Sequence, residues 1–325
     1  MALHQLDEND YHFWDEYVRN HPEGTIFHTS KWLQSHRGDL VVLVEKKANR
    51  ILGGVAFIVK NRFGVKGIHN LPYTPFRGPL FGDINSKKHF KSHSKKADFI
   101  EQVTNKLKYG HVEFLLSTND FNTLPYKWSG FTDQRLVTYQ INDIANYSIN
   151  NVTSNKRREI EGFLNLMENG EIELLINQEL EMILELQKET GARSGFNPMT
   201  HILKDLLSSI SGNYFSLGLK SKKYGLFSGG IFPFDNHTVY NLINGSKRID
   251  HPVYKNANAC LVYHAILMAK EKNKKFDFEG SSIKGVEQFY RMMGGVQHTR
   301  FRVLKSKNPF YFGLRAFQQW SQEIK

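Results

Sequence analysis

Two carboxylates, two hydroxyls and a helix start fall close together in Phe276–Gly295, FDFEGSSIKGVEQFYRMMGG. Phe276 and Phe278 alternate with Asp277 and Glu279, the period of a strand, which sets aromatics on one face and carboxylates on the other. Gly280, Ser281 and Ser282 interrupt that strand. The serine hydroxyls suit either of two tasks: capping the helix that follows or, with its first backbone N–H groups, holding a phosphate or an oxyanion. Val286, Phe289 and Met293 then recur at helical spacing, and Gly294-Gly295 closes the helix where a left-handed turn is needed. A strand end with carboxylates, a polar turn and a helix N-terminus suit chemistry on a polar or anionic ligand.

Cations that could meet such a ligand occur at three other places. Lys156, Arg157 and Arg158 crowd the opening turn of a helix within NNVTSNKRREIEGFLNLMENG, capped by Thr153 or Ser154, with Ile160, Phe163, Leu164 and Met167 on its apolar side. Cations at a helix N-terminus oppose the dipole, at roughly 0.3 kcal/mol or more each when exposed. That leaves a solvated charged end or an anion site. Arg193 lies in GARSGFNP, a glycine-bearing loop between helices at about 178–190 and 200–211, and Arg77 lies on the proline-fixed LPYTPFRGPLF. Arginine forks match phosphate oxygens in pairs, so these residues are candidates for binding a substrate's diphosphate. His89 and His93 have the four-residue spacing of helical metal ligands, but lysines surround them and no acid is near, so no metal is expected. No nucleophile elbow, P-loop or dinucleotide glycine pattern is present, which argues against hydrolase, NTPase and dehydrogenase chemistry.

The elements that must position these residues follow from pattern. Residues 10–20 predict a first helix, and Ser30 is placed to cap another around Trp32. Leu40–Glu45 and Ile51–Lys60 predict a strand hairpin, Phe63–Leu71 a further strand, and Ala97–Tyr109 a helix leading into the strand His111–Leu116. The second half repeats that order with strands at Tyr214–Lys220, Leu226–Phe234 and Thr238–Ile243, a helix at Ala257–Lys272 and the strand Lys275–Glu279. Gly53-Gly54-Val55 aligns with Gly229-Gly230-Ile231, and Glu113-Phe114 with Asp277-Phe278. Order and type agreeing over five elements predict a duplication. The domains expected are 1–150 and 151–325, the second opening with an interdomain helix and ending with an amphipathic helix at Phe312–Ile324.

The 325 residues are 40% hydrophobic and 13% aromatic, enough for two domains with cores of their own. The net charge is +11 and the pI about 9.4. Basic residues are scattered in small clusters, a pattern that favours a ligand-sized anion over a dedicated nucleic-acid binder. A lone cysteine, Cys260, sits on an apolar helix face and reads as a buried hydrophobe in a reducing compartment. The start of the chain has no signal-peptide pattern and no apolar run approaches about 20 residues. The expectation is a soluble, cytoplasmic protein.

Taken together, FHTSKWL, the GG of the first hairpin, SNKRREIEGF, ETGARSGF, NGSKRIDHPVYKNANACLVYHAI and FDFEGSSIKGVEQFYRMMGG resemble the FemAB-like branch of the GNAT acyltransferase superfamily, over nearly the whole chain. The resemblance implies an α/β (α+β) fold of two tandem GNAT-like domains, each a twisted mixed β-sheet flanked by helices. It also implies transfer of an acyl group to an amine of a cell-envelope precursor. Some such proteins take an amino acid from aminoacyl-tRNA and extend a peptidoglycan stem peptide; others are acetyltransferases that use acyl-CoA in polysaccharide or lipid-linked pathways. No heptad stretch marks the long coiled-coil arm of some tRNA-using members. That favours acyl-CoA, though arm-less aminoacyltransferases also exist and both donors remain open. The acceptor implied is a nucleotide- or lipid-linked sugar or peptide. Further partners that fit the basic charge are tRNA and, through peripheral contact, an anionic membrane. A basic binding module that has lost catalysis remains a third reading.

Two departures bear on chemistry. Where such proteins often carry F-K-x-x-F-G, this chain has Phe289-Tyr290-Arg291-Met292-Met293-Gly294, so Tyr290 stands in the lysine's place and offers one hydrogen bond to an oxyanion. The usual pyrophosphate signature Q/R-x-x-G-x-G/A is missing, and Asn61–Gly67 is its nearest text. An amine attacking a thioester or ester must lose a proton, and Asp277 and Glu279 are the candidates to accept it, directly or through water.

Overall fold

The computed structural model describes residues 3–48, 50–82, 89–120, 122–251, 253–281, 283–309, 311 and 313, with backbone only at 89–93 and 255. Ser282, the side chains of His89 and His93 and, apart from Gly313, the terminal helix expected at 312–324 lie outside the described residues.

The chain runs β1 (Leu3–Gln5), α1 (Tyr11–Asn20), α2 (Ser30–Gln34), β2 (Asp39–Lys47), β3 (Arg50–Arg62), β4 (Val65–Ile68), β5 (Leu80–Phe81), α3 (His89–Lys106), β6 (His111–Leu115), α4 (Leu124–Trp128) and β7 (Thr132–Ile141). It continues with α5 (Ser154–Glu168), β8 (Ile172–Ile176), α6 (Leu180–Ser194), α7 (Thr200–Ser209), β9 (Tyr214–Ser221), β10 (Gly225–Pro233), β11 (Thr238–Tyr240) and β12 (Ile243–Ser246). Last come α8 (Ala257–Glu271), β13 (Lys275–Asp277), α9 (Lys284–Met292) and β14 (Val296–Ser306).

Two compact units divide the chain, Met1–Val137 with the residues from Thr299 onward, and Thr138–His298. The boundary expected from the sequence lies at 150/151. It followed the polar stretch NNVTSN, whereas the division falls inside β7 and again inside β14, in strands that carry no turn signal.

In the first unit β1, β2, β3 and β4 pair antiparallel in sequence order, β4 pairs parallel with β6, and β6 pairs antiparallel with β14. The central strand β3, ILGGVAFIV, is buried over most of its length, as a strand covered on both faces must be. Phe99, Ile100 and Val103 on α3, with Leu107 just past its end, share one core with Val55, Phe57, Val112 and Phe114. Thr29, not Ser30, caps α2: its side chain accepts the Trp32 N–H.

In the second unit β8, β9, β10 and β12 form an antiparallel sheet, while β13 pairs antiparallel with β7 and parallel with β11. The strand expected at Thr238–Ile243 is thus two strands in two sheets. Helix α8 packs on β9 and β10 and reaches both β12 and β13, while α6 lies against β10 and β12. Cys260 is fully buried on α8.

The paired glycines do the same job in both units. A Cβ on Gly54 would stand 2.6 Å from the Trp14 ring of α1, and one on Gly229 would stand 2.7 Å from Ile183 of α6. Each hairpin leaves out side chains where a helix presses on it, which is why the GG pair recurs at the same place in the duplicated order.

Candidate active site

Strands β11 and β13 run parallel for three residues, with Thr238, Val239 and Tyr240 opposite Lys275, Phe276 and Asp277. The Asn241 N–H still bonds the Asp277 carbonyl at 2.9 Å. Beyond that point the strands part: β12 pairs with β10, and β13 stops. Where neighbouring parallel strands diverge past their carboxyl ends, backbone groups and side chains open onto a crevice, and α/β proteins place ligands there. Asp277 stands at this fork.

The strand expected to reach Glu279 ends at Asp277, so the two carboxylates do not share a face. Asp277 is 1% exposed. Its Oδ1 accepts the Thr138 hydroxyl at 2.5 Å and the Glu279 N–H at 2.7 Å, and its Oδ2 accepts the Gln140 amide at 2.8 Å. The bond to Glu279 N–H closes a side-chain turn over two residues, and Glu279 and Gly280 both take left-handed backbone, φ +63° and +66°. A non-glycine residue held there costs of order 1 kcal/mol and persists only where its surroundings fix it. The result is a buried, three-fold hydrogen-bonded aspartate that sets the turn, and a half-buried glutamate that the turn presents.

Tyr290 of α9 packs its ring on Phe278, centroids 4.8 Å apart, and on Tyr139 at 6.0 Å. Burial, then the negative charges of Glu279 and Asp277, push its hydroxyl pKa well up, so it stays protonated and able to donate. The Tyr139 hydroxyl donates to Glu287 and accepts from Gln297 at 3.0 Å. Glu287 also takes both arms of Arg291, at 2.7 and 3.0 Å. The Arg291 pair first, and the Tyr139 hydroxyl second, hold its carboxyl below the usual range. Thr138, Tyr139, Gln140, Glu287 and Gln297 were not foreseen as parts of this site. For the three on β7 a signal existed: Val137, Tyr139 and Ile141 alternate with Thr138 and Gln140.

The remaining candidates are placed as follows. Ser281 Oγ accepts the Ile283 N–H at 3.1 Å, the local capping alternative, and Ser282 lies outside the described residues. Lys156 pairs with Glu159 at 2.6 Å and lies 5.8 Å from the Phe289 ring, beside α9, where Thr153 N–H bonds the Met292 carbonyl at 3.0 Å. Arg157 reaches the Asn150 carbonyl at 3.4 Å, and Arg158 the Asn155 side chain at 2.6 Å. Arg193 is in the last turn of α6 rather than a loop, because the helix runs on to Ser194 before Gly195 ends it in the left-handed region. Its guanidinium bonds the Ser246 carbonyl at the end of β12 and the Thr190 hydroxyl at 3.1 Å.

Arg77 is not at a surface. It is 3% exposed, 3.7 Å from Glu113, which also stands 3.3 Å from Arg302 and 3.5 Å from His111. The first unit has its own parallel pair, Gly67 and Ile68 opposite His111 and Val112. Beyond that pair the chain around Arg77 follows β6, its N–H bonding the Leu115 carbonyl at 3.0 Å. Glu113, the counterpart of Asp277, is thus neutralised inside the first unit.

Among the described residues no group of histidine, cysteine and carboxylate side chains is arranged to hold a metal ion, and no helix is long and apolar enough to cross a membrane. No protein-family model matches the chain, and no curated protein matches it in sequence. Solved structures match it in fold. FemX superposes with a TM-score of 0.69 at 14% identity, over 93% of this chain and 97% of its own. The C-terminal domain of a putative lysylphosphatidylglycerol synthetase from Agrobacterium fabrum gives 0.57 at 9% identity, over 94% and 95%. A tandem GNAT protein from the clavulanic acid biosynthesis pathway gives 0.53 at 8%, over 95% and 99%.

Proposed function

We propose that this chain, whose fold is the FemAB-like form of the tandem GNAT fold, is an N-acyltransferase acting by direct attack of an amine on an activated acyl group. The observation that carries the reading is the fork at Asp277, with Glu279 presented by the Asp277 turn and the protonated Tyr290 hydroxyl in the field of both carboxylates.

In this reading the acceptor's uncharged amine attacks the donor carbonyl, forming the C–N bond. Glu279, directly or through one water, takes the amine proton. The Tyr290 hydroxyl donates to the developing oxyanion, where the related lysine would otherwise act. The intermediate collapses with loss of the donor's thiolate or ribose oxygen, which leaves with a proton returned through Glu279. Asp277, its three hydrogen bonds already made, is a positioning residue. No covalent enzyme intermediate is required.

The donor is acyl-CoA in the first reading and aminoacyl-tRNA in the second. The second is favoured by likeness to a protein named as a putative lysylphosphatidylglycerol synthetase. In both, Arg193 in the last turn of α6, bonded to the end of β12, and Lys156 beside α9 engage the anionic part of a co-substrate, a nucleotide- or lipid-linked sugar or peptide. We place the reaction in the cytoplasm, where both donors are found. The test is release of free thiol from acetyl-CoA, or of uncharged tRNA from aminoacyl-tRNA, across a panel of amine acceptors. Amine-dependent release that E279Q abolishes supports the reading. Release that E279Q leaves intact refutes the assigned base, and no release with either donor points to the binding module without catalysis.

A further inference from the structure

The hairpin between β3 and β4 turns over only two residues, Phe63 and Gly64, because Arg62 pairs directly with Val65. Both have left-handed backbone, φ +52° and +76°. Two-residue turns of this kind match the strand twist and are filled best by asparagine followed by glycine. A bulky side chain in that conformation is an outlier. The Phe63 ring recovers nothing by burial, being 68% exposed, with the Arg62 guanidinium 5.6 Å from its centre. A strained aromatic held in solvent points to a partner outside the chain.

The ground around it is basic. Lys66 and Lys307 line a hollow beside Gly64 and Gly110, and Lys307 also borders a pocket of about 160 Å³ with Lys108 and Lys305. Among the described residues no carboxylate lines either one. Among the described residues no ion pair engages Lys66, Lys108 or Lys307, and all three are exposed.

We propose that this hairpin tip and its lysines dock the protein on an anionic phospholipid bilayer, with Phe63 entering the acyl boundary and the lysines facing headgroup phosphates. Stable peripheral attachment takes two signals, an apolar insertion and a basic patch, and both are present within a few residues. A nucleic-acid site would call for aromatics on a groove or sheet face where bases stack; Phe63 instead stands at the apex of a convex turn. The proposal uses none of the residues assigned to acyl transfer and does not depend on that reading.

The experiment is co-sedimentation of the full chain with vesicles of phosphatidylcholine alone and of phosphatidylcholine with phosphatidylglycerol, alongside F63N, K66Q and K307Q. The wild type is expected to bind only the phosphatidylglycerol vesicles, less as salt rises. Each lysine substitution should weaken partition about fivefold, as expected for one cation near an anionic surface. F63N should weaken it at least as much while unfolding at an equal or higher temperature, since asparagine relieves the turn. Because Cys260 is buried, F63C can be labelled with an environment-sensitive fluorophore, whose emission should shift to the blue on anionic vesicles and not on neutral ones. Vesicle binding unchanged by F63N, an unshifted fluorophore, or binding of deacylated tRNA that depends on Phe63 without any vesicle binding would overturn the proposal.

Discussion

The Asp277 carboxylate accepts the backbone N–H of Glu279 at 2.7 Å, so one acid of the pair holds the other in its left-handed turn. Two carboxylates two residues apart therefore have different surroundings. One is buried and spent on hydrogen bonds from Thr138, Gln140 and Glu279; the other is half exposed at the place where β11 and β13 part.

That division predicts separable phenotypes. E279Q should keep the turn and remove the proposed base, so kcat should fall about 10²- to 10⁴-fold with little change in unfolding temperature. D277N should lower both, because it alters a buried network and costs about 1–3 kcal/mol for the group left unsatisfied. Rate measurements paired with thermal unfolding check this; a D277N protein of native stability and full rate would contradict the positioning role.

Y290F retains the ring contacts to Phe278 and Tyr139 and removes only the hydroxyl. If that hydroxyl steadies the oxyanion, kcat should drop about 10²-fold with KM nearly unchanged. A variant as fast as the wild type would leave the oxyanion without this donor.

Much of this was legible in the sequence and some was not, for physical reasons. The GG pairs, the helix running into a strand and the Gly294 turn are local patterns, and each is where its residues put it. Which partner a strand takes is not local. Nothing between Thr238 and Ile243 marks the switch from β13 to β10, since both pairings use the same backbone bonds. Glu279 fits the alternation of Phe276–Phe278, yet the Asp277 side chain competes for its N–H and ends the strand. Arg77 reads as a surface cation, but its partner Glu113 is distant in sequence and only the folded unit brings them together.

Close packing behind the fork gives a further prediction. A Cβ on Gly245 of β12 would lie 2.6 Å from the backbone of Leu186 and Gln187 in α6. G245A should therefore destabilise by about 1–3 kcal/mol, the usual range for overpacking. Urea unfolding measures it, and an unshifted midpoint would mean that α6 yields at no cost.

Acid should weaken the first unit. Burial, ahead of nearby positive charge, pushes the pKa of His28 down to about 3 and those of His36 and His69 to about 4. The Val65 carbonyl accepts from His69 Nε2 at 3.0 Å, and the Tyr311 hydroxyl donates to Nδ1 at 2.7 Å, so this imidazole is neutral. Unfolded, each takes a proton near its ordinary 6.5. The unfolded state thus binds more protons below that value, and stability present above it is lost as pH falls from 6.5 towards 4. Unfolding temperature against pH reads this directly, and H69Q should flatten the slope.

The central claim, that this chain takes an activated acyl donor, is tested most directly by calorimetric titration of the purified protein with acetyl-CoA and, at matched salt, with deacylated tRNA. The account predicts saturable binding of one of them. Acetyl-CoA bound at all salts, with tRNA affinity collapsing as salt rises, identifies acyl-CoA as the donor and marks tRNA binding as bulk electrostatics. Salt-resistant tRNA binding without acetyl-CoA identifies aminoacyl transfer. A protein that binds neither would contradict the account.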